Sequence, residues 1–117
     1  MHYMLLIYEN ERVYGDKSDT PEMQAIVAKH WDLVAELGSQ YKTGAGLEPT
    51  AAATTVRTVN GQQTIHDGPF AETREQLGGY YVIEADNLDD AIAIARRVPI
   101  RVDGSIEVRP LLHPPGA

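Results

Sequence analysis

The pattern of hydrophobic and polar positions predicts four strands of one sheet. Residues 2–8 are apolar on both alternating faces, which is typical of a central strand covered on both sides. Residues 80–85 form a second β-rich run, and 105–109 alternate as a half-buried strand does. We expect 41–43 to form a short strand that leads into a glycine-rich turn at 44–46.

Two further segments carry apolar residues at spacings of three and four, as amphipathic helices do. The first follows Thr20, a favourable N-cap, begins at Pro21 and ends near Gly38, a span of about 17 residues. The second is capped by Asn87 and stopped by Pro99. The predicted buried stripes are Met23, Ile26, Val27, Val34 and Leu37, and then Leu88, Ala91, Ile92, Ala95 and Val98.

A β-hairpin is predicted between the two helices. Residues 54–59 and 62–66 flank Asn60-Gly61, a dipeptide that favours a type I′ turn. The order β-α-β-hairpin-β-α-β predicts a single α+β domain over 1–117, with a ferredoxin-like antiparallel sheet, two helices on one face and an inserted hairpin. The other sheet face would expose apolar side chains, so we expect a homodimer that packs through the sheets.

Composition and charge narrow the class of protein. The 117 residues include 17 acidic and 10 basic side chains, a formal net charge of −7, and 43% hydrophobic residues, as expected for one globular domain. No cysteine is present, which argues against a disulfide scaffold and fits a cytoplasmic protein. The acidic balance argues against nucleic acid as a partner, and no apolar run is long enough to predict a membrane helix.

Histidines and carboxylates carry the candidate chemistry, because the chain has no P-loop, dinucleotide fingerprint, nucleophile elbow or H-E-x-x-H motif. We therefore expect neither a cofactor nor a metal. His30 falls between Val27 and Val34 on the apolar stripe of the first helix, facing the sheet. A partly buried histidine beside water can act as a general base, whereas the alternative is a core histidine satisfied by one hydrogen bond.

The segment after the hairpin supplies the other candidates. Asp67 could orient His30 and stabilise its imidazolium, or simply bond its own backbone as the first residue of a turn. Arg74 could bind a substrate carboxylate with Glu72 beside it, or both could belong to a solvated charged face. Tyr80 and Tyr81 point to opposite faces of one strand, so one should pack in the core or dimer seam and the other could line a pocket.

Three segments also resemble a known family. Residues 3–8, the fifteen-residue run DGPFAETREQLGGYY at 67–81, and 104–110 are similar to the DGPF branch of the YCII-related family. Arg74 stands where that pattern usually has lysine. The similarity runs nearly end to end and implies a ferredoxin-like fold of the dimeric α/β barrel type.

The resemblance also implies a class of chemistry. YCII-related proteins resemble small lyases and isomerases of the muconolactone-isomerase type, with a suggested His–Asp active site. His30 matches the histidine of their first helix. Their acid usually precedes a proline after the second helix, where this chain has Val98 before Pro99, so we expect Asp67 to supply the acid from another strand.

Two functional hypotheses follow. The first is a cofactor-independent lyase or isomerase that acts on a small molecule, with His30 as general base, Asp67 orienting it, and Arg74 or a tyrosine holding the substrate. The second is a non-catalytic module that binds a ligand or a sigma factor, because DGPF-type proteins often accompany sigma factors and the acidic surface would complement a basic partner. A purely structural role is a third interpretation.

Overall fold

The computed structural model describes residues 1–15 and 17–112 and confirms the ferredoxin-like α+β fold. A four-stranded antiparallel sheet has the order β2-β5-β1-β6, and β3 and β4 form a separate hairpin. The elements are β1 (His2–Glu9), α1 (Pro21–Leu37), β2 (Tyr41–Gly46), β3 (Thr54–Val59), β4 (Gln62–Asp67), β5 (Gln76–Glu84), α2 (Leu88–Ala95) and β6 (Gly104–Pro110).

The core lies between one face of the sheet and the two helices. Leu5 of β1 and Ile83 of β5 are fully buried at its centre. Leu33 of α1 and Ile94 of α2 pack into the same cluster, although neither belonged to the predicted stripes. Val27 of the predicted stripe is instead exposed. The buried residues of α1 are Ile26, Leu33 and Leu37, so the helix is rotated relative to the predicted stripe.

Capping contacts confirm both predicted ends of α1 and the predicted start of α2, whereas α2 ends at Ala95, before the predicted stop at Pro99. The Thr20 hydroxyl accepts a hydrogen bond from the Met23 N–H at 3.2 Å, and Gly38 ends α1 with a φ of 57°. The Asn87 side chain accepts from the Asp90 N–H at 2.9 Å at the start of α2. The Thr20 and Asn87 side chains each satisfy a backbone donor that the first turn of an α-helix leaves unpaired.

The hairpin prediction is also confirmed, whereas the predicted turn at 44–46 is wrong. Asn60 and Gly61 have φ values of 51° and 76°, as a type I′ turn requires. Gly44 lies inside β2 and pairs with Tyr81. A β-carbon on Gly44 would stand 2.6 Å from the Tyr80 carbonyl oxygen and 2.9 Å from the Tyr41 hydroxyl, so the glycine permits close packing within a strand.

The second face of the sheet carries apolar side chains that lie outside the core cluster. Met4, Leu6 and Tyr8 of β1 are half-buried there and alternate with the core residues of the same strand. The sheet stays open and does not close into a barrel within one chain. In the described ranges, no helix is both long enough and apolar enough to cross a membrane.

Candidate functional site

A cavity of about 230 Å³ lies between α1 and the edge of the sheet formed by β1, β5 and β2. The segment that connects β2 to β3 closes one side of it. Its wall is largely apolar, and Trp31 of α1 borders it with 65% of its surface exposed. His30 and Tyr81 also line the cavity, so the candidate base borders a space that can hold a small molecule.

His30 and Tyr81 form the central contact of the site. Nδ1 of His30 lies 2.6 Å from the Tyr81 hydroxyl oxygen, and the two rings meet edge-on with centroids 5.7 Å apart. Among the described residues no buried side-chain nitrogen or oxygen lacks a partner, and Nε2 of His30 makes no hydrogen bond, so Nε2 is not fully buried. The contact holds the ring in place through one nitrogen and leaves the other available.

The protonation states of the pair follow from burial. Burial lowers the pKa of His30, while the negative charge of Glu9 opposes that effect, so the imidazole is neutral at pH 7. Burial, with a smaller contribution from Tyr41, raises the pKa of Tyr81 to about 12, so its hydroxyl keeps its proton. If Nδ1–H donates to the Tyr81 oxygen, the Nε2 lone pair is free to accept a proton.

Tyr41 supports Tyr81 from the neighbouring strand. The two rings are perpendicular, with an interplanar angle of 89° and centroids 5.7 Å apart. An irregularity in the pairing of β2 with β5 follows Tyr41, and the missing side chain of Gly44 leaves room for the Tyr41 hydroxyl. These contacts pack Tyr81 against Tyr41, which favours a fixed position for its hydroxyl.

Glu9 is a site residue that the sequence analysis missed. It ends β1 on the same face as the core residues and is only 7% exposed. The Tyr14 hydroxyl donates to its two carboxylate oxygens at 2.7 and 2.6 Å, and the Arg101 N–H donates to one of them at 3.1 Å. Its inward position in the alternation of β1 is the signal that could have revealed it.

The structure brings together only part of the predicted set. His30 and Tyr81 touch, while Tyr80 borders the cavity from the strand position whose side chain alternates to the opposite face. Asp67 is exposed at the foot of the hairpin, where it pairs with Thr54, and it makes no contact with His30. Within one chain the hairpin is a separate sheet and Asp67 does not line the cavity, so the His30–Asp67 pair stays a prediction.

The charged cluster after the hairpin also lies away from the cavity. Glu72 and Arg74 are exposed and do not line it, so their role in substrate binding stays a prediction. Three other carboxylates border the cavity: Glu9, Glu11 and Glu48. Glu11 accepts a hydrogen bond from the Thr50 N–H at 3.0 Å. Within the described ranges, no group of three His, Cys, Asp or Glu side chains could hold a metal ion.

Comparison with known proteins identifies the family. A family model, the YCII-related domain, matches residues 1–113. This chain belongs to the YCII-related family. The YCII-related chain is also 38% identical to an uncharacterised protein of Rhizobium meliloti (strain 1021) over 125 aligned positions, which cover 99% of this chain and 97% of that relative.

Proposed function

We propose that this YCII-related protein catalyses proton transfer on a small molecule, in a reaction of the lyase or isomerase class. One observation carries the proposal: His30 is held through Nδ1 by Tyr81 at 2.6 Å, keeps Nε2 free of hydrogen bonds, and lines a mostly apolar cavity. A neutral imidazole in such a place is suited to general base catalysis near neutral pH.

The step balances without a further reactant. Nε2 of His30 takes a proton from a carbon next to an electron-withdrawing group, and the C–H electron pair forms a carbon–carbon double bond. In an elimination, the bond between carbon and the leaving group breaks. The leaving group departs with that electron pair and receives the proton from the imidazolium. In an isomerisation, an existing double bond shifts and the imidazolium returns the proton to another carbon. Tyr81 keeps the ring in position throughout and stabilises the charge that His30 acquires.

The proposal is tested by exchange of carbon-bound hydrogen. Small lactones and unsaturated ketones are incubated with the protein in D₂O, and deuterium incorporation is followed by NMR. We expect His30→Ala to lower the rate by about 10²–10⁴. His66→Ala is the matched control, because His66 is exposed on the hairpin and does not line the cavity. Equal rates for His30→Ala and the unmodified protein would refute the proposal.

We also propose that the protein is a homodimer joined through the uncovered sheet face. The support is the row of half-buried apolar residues on the sheet face opposite the core, Met4 and Leu6 of β1 among them. Light scattering after size exclusion should give twice the 12.9 kDa chain mass. Leu6→Glu should give a folded monomer, and a monomeric unmodified protein would contradict the proposal.

A partner-binding module is the second candidate function, favoured by the exposed hairpin. Val56 and Ile65 form a cross-strand pair on one of its faces, and Ile65 is 77% exposed. A sigma factor retained in stoichiometric amount by the full chain, and lost with Ile65→Glu, would support this function. Retention that instead survives Ile65→Glu would remove the hairpin as its basis.

A further inference from the structure

We propose that the cavity binds a small organic cation, a single ring that bears a protonated amine, and not a carboxylate. This inference rests on the proposed function for the location of the site and adds the chemical class of its ligand. It is carried by three features of the cavity wall: the sign of its charges, the free acceptor positions of its carboxylates, and its exposed aromatic surface.

The charged residues of the described wall are mostly acidic. Glu9, Glu11 and Glu48 border the cavity, and Lys17 is the one basic side chain that faces them there, apart from neutral His30. The charge of Glu9 reaches the reacting end of the site, because it acts on His30. A bound carboxylate would therefore meet like charges in a partly desolvated space, which costs binding free energy, whereas a cation would be attracted.

Glu11 keeps the acceptor capacity that an ammonium group needs. Its two carboxylate oxygens each accept one hydrogen bond, from the backbone N–H and the hydroxyl of Thr50. An ionised carboxylate offers about four acceptor positions, so roughly two stay open on Glu11. Thr50 thus fixes the carboxylate without saturating it. Glu9 is more fully occupied by its three contacts with Tyr14 and Arg101 and supplies mainly charge.

The opposite part of the wall suits a ring. Trp31, Val27 and Leu47 present exposed apolar surface at the cavity, and an indole face also attracts cations more strongly than other aromatic rings do. The volume of about 230 Å³ lies below the range of roughly 300–1,000 Å³ that is usual for drug-sized ligands. The cavity therefore fits one ring with a short polar substituent.

Three probes of matched size and different charge test this inference: benzylamine, benzyl alcohol and benzoate. Their binding to the full chain is measured at pH 7 by NMR titration, with no turnover required. We expect benzylamine, as its ammonium ion, to bind at least about tenfold more tightly than benzoate, with benzyl alcohol between them. High salt should narrow that difference, since it screens charges.

Variants assign the preference to the cavity. Glu11→Gln should weaken benzylamine binding about tenfold and leave benzyl alcohol binding unchanged, because it removes a charge and keeps the shape. Glu22→Gln removes an exposed charge from the first turn of α1, outside the cavity wall, and should change neither.

The outcomes separate this inference from the proposed function. Benzoate binding as tightly as benzylamine, no binding of any probe, or no effect of Glu11→Gln would overturn the cation inference, while loss of exchange activity in His30→Ala could still stand. Conversely, a clear cation preference that persists in a fully active His30→Ala variant would support the inference and refute the catalytic role of His30.

Discussion

Replacing Tyr14 with phenylalanine tests the account of the buried Glu9 carboxylate. Tyr14 is buried, and its hydroxyl lies 2.7 and 2.6 Å from the two oxygens of Glu9. The substitution removes that one donor and keeps the ring. Glu9 would then stay buried with the Arg101 N–H, at 3.1 Å, as its remaining donor among the described residues.

Removal of the Tyr14 hydroxyl should lower the free energy of unfolding markedly. A hydrogen bond to a charged group contributes about 1.5–3 kcal/mol to the free energy of unfolding. The upper part of that range applies, because the abandoned acceptor is an ionised group away from water. We therefore expect a loss of about 2–3 kcal/mol, which lowers Tm by roughly 10 °C in a domain of this size.

Urea unfolding at pH 7 measures the effect, with Tyr3→Phe as the matched control. Tyr3 is also buried, but among the described residues its hydroxyl donates only to the Met1 sulfur, at 3.7 Å, so its loss should cost less than about 0.5 kcal/mol. Equal stability of the two variants would refute the proposed role of the Tyr14–Glu9 contact.

The same contact predicts a pH dependence. Burial and the bond to Glu9 raise the pKa of Tyr14 above its ordinary value of 10.0. A group whose pKa is raised by folding contributes stability that is complete below the unfolded pKa and is lost as the pH rises above it. The stability difference between the unmodified protein and Tyr14→Phe should therefore narrow above pH 10, and a difference that widens there would contradict the assignment.

The remaining predictions concern one strand, one cap and the base. Gly44→Ala should lower the free energy of unfolding in urea by about 1–3 kcal/mol, because its β-carbon would stand 2.6 Å from a backbone oxygen. Gly46→Ala should leave it unchanged, since nothing lies within 4 Å of the added β-carbon, and equal losses for the two variants would contradict the close approach at Gly44. Asn87→Ala should cost about 1 kcal/mol by the same assay, since it removes the α2 cap. The exchange activity should fall as the pH is lowered, with a midpoint below pH 6.5, because His30 then gains a proton. A midpoint above pH 6.5 would contradict the lowered pKa of His30.

The local parts of the fold were predictable because their causes are local. Thr20, Asn87 and the Asn60-Gly61 turn each act through backbone geometry within a few residues, and all three appear where the sequence indicated. The segment at 44–46 was mistaken for a turn for the same reason. Glycine favours turns locally, but here its small size serves a contact with β5 that local sequence does not reveal.

The sequence predicted some residues of the candidate site and missed others. The helical period placed His30 on the inner side of α1, and the structure shows it there beside Tyr81, which lies 51 residues further along the chain. Asp67 was expected to be its partner because Val98 stands where the family usually has its acid, and Asp67 lies on the separate hairpin. One carboxylate that does line the cavity is Glu9, whose position at an inward end of β1 gave only a weak signal.

By itself, then, the sequence determined the strands, the helices, their caps and the inward position of His30, since each depends on residue periodicity or on hydrogen bonds between near neighbours. Only the tertiary structure decided what His30 meets. Tyr81 reaches His30 because β5 lies between β1 and β2 in the sheet, and the buried Glu9 carboxylate accepts from the backbone of Arg101, 92 residues away. Such contacts depend on strand order and packing, which bring together residues that no local spacing relates.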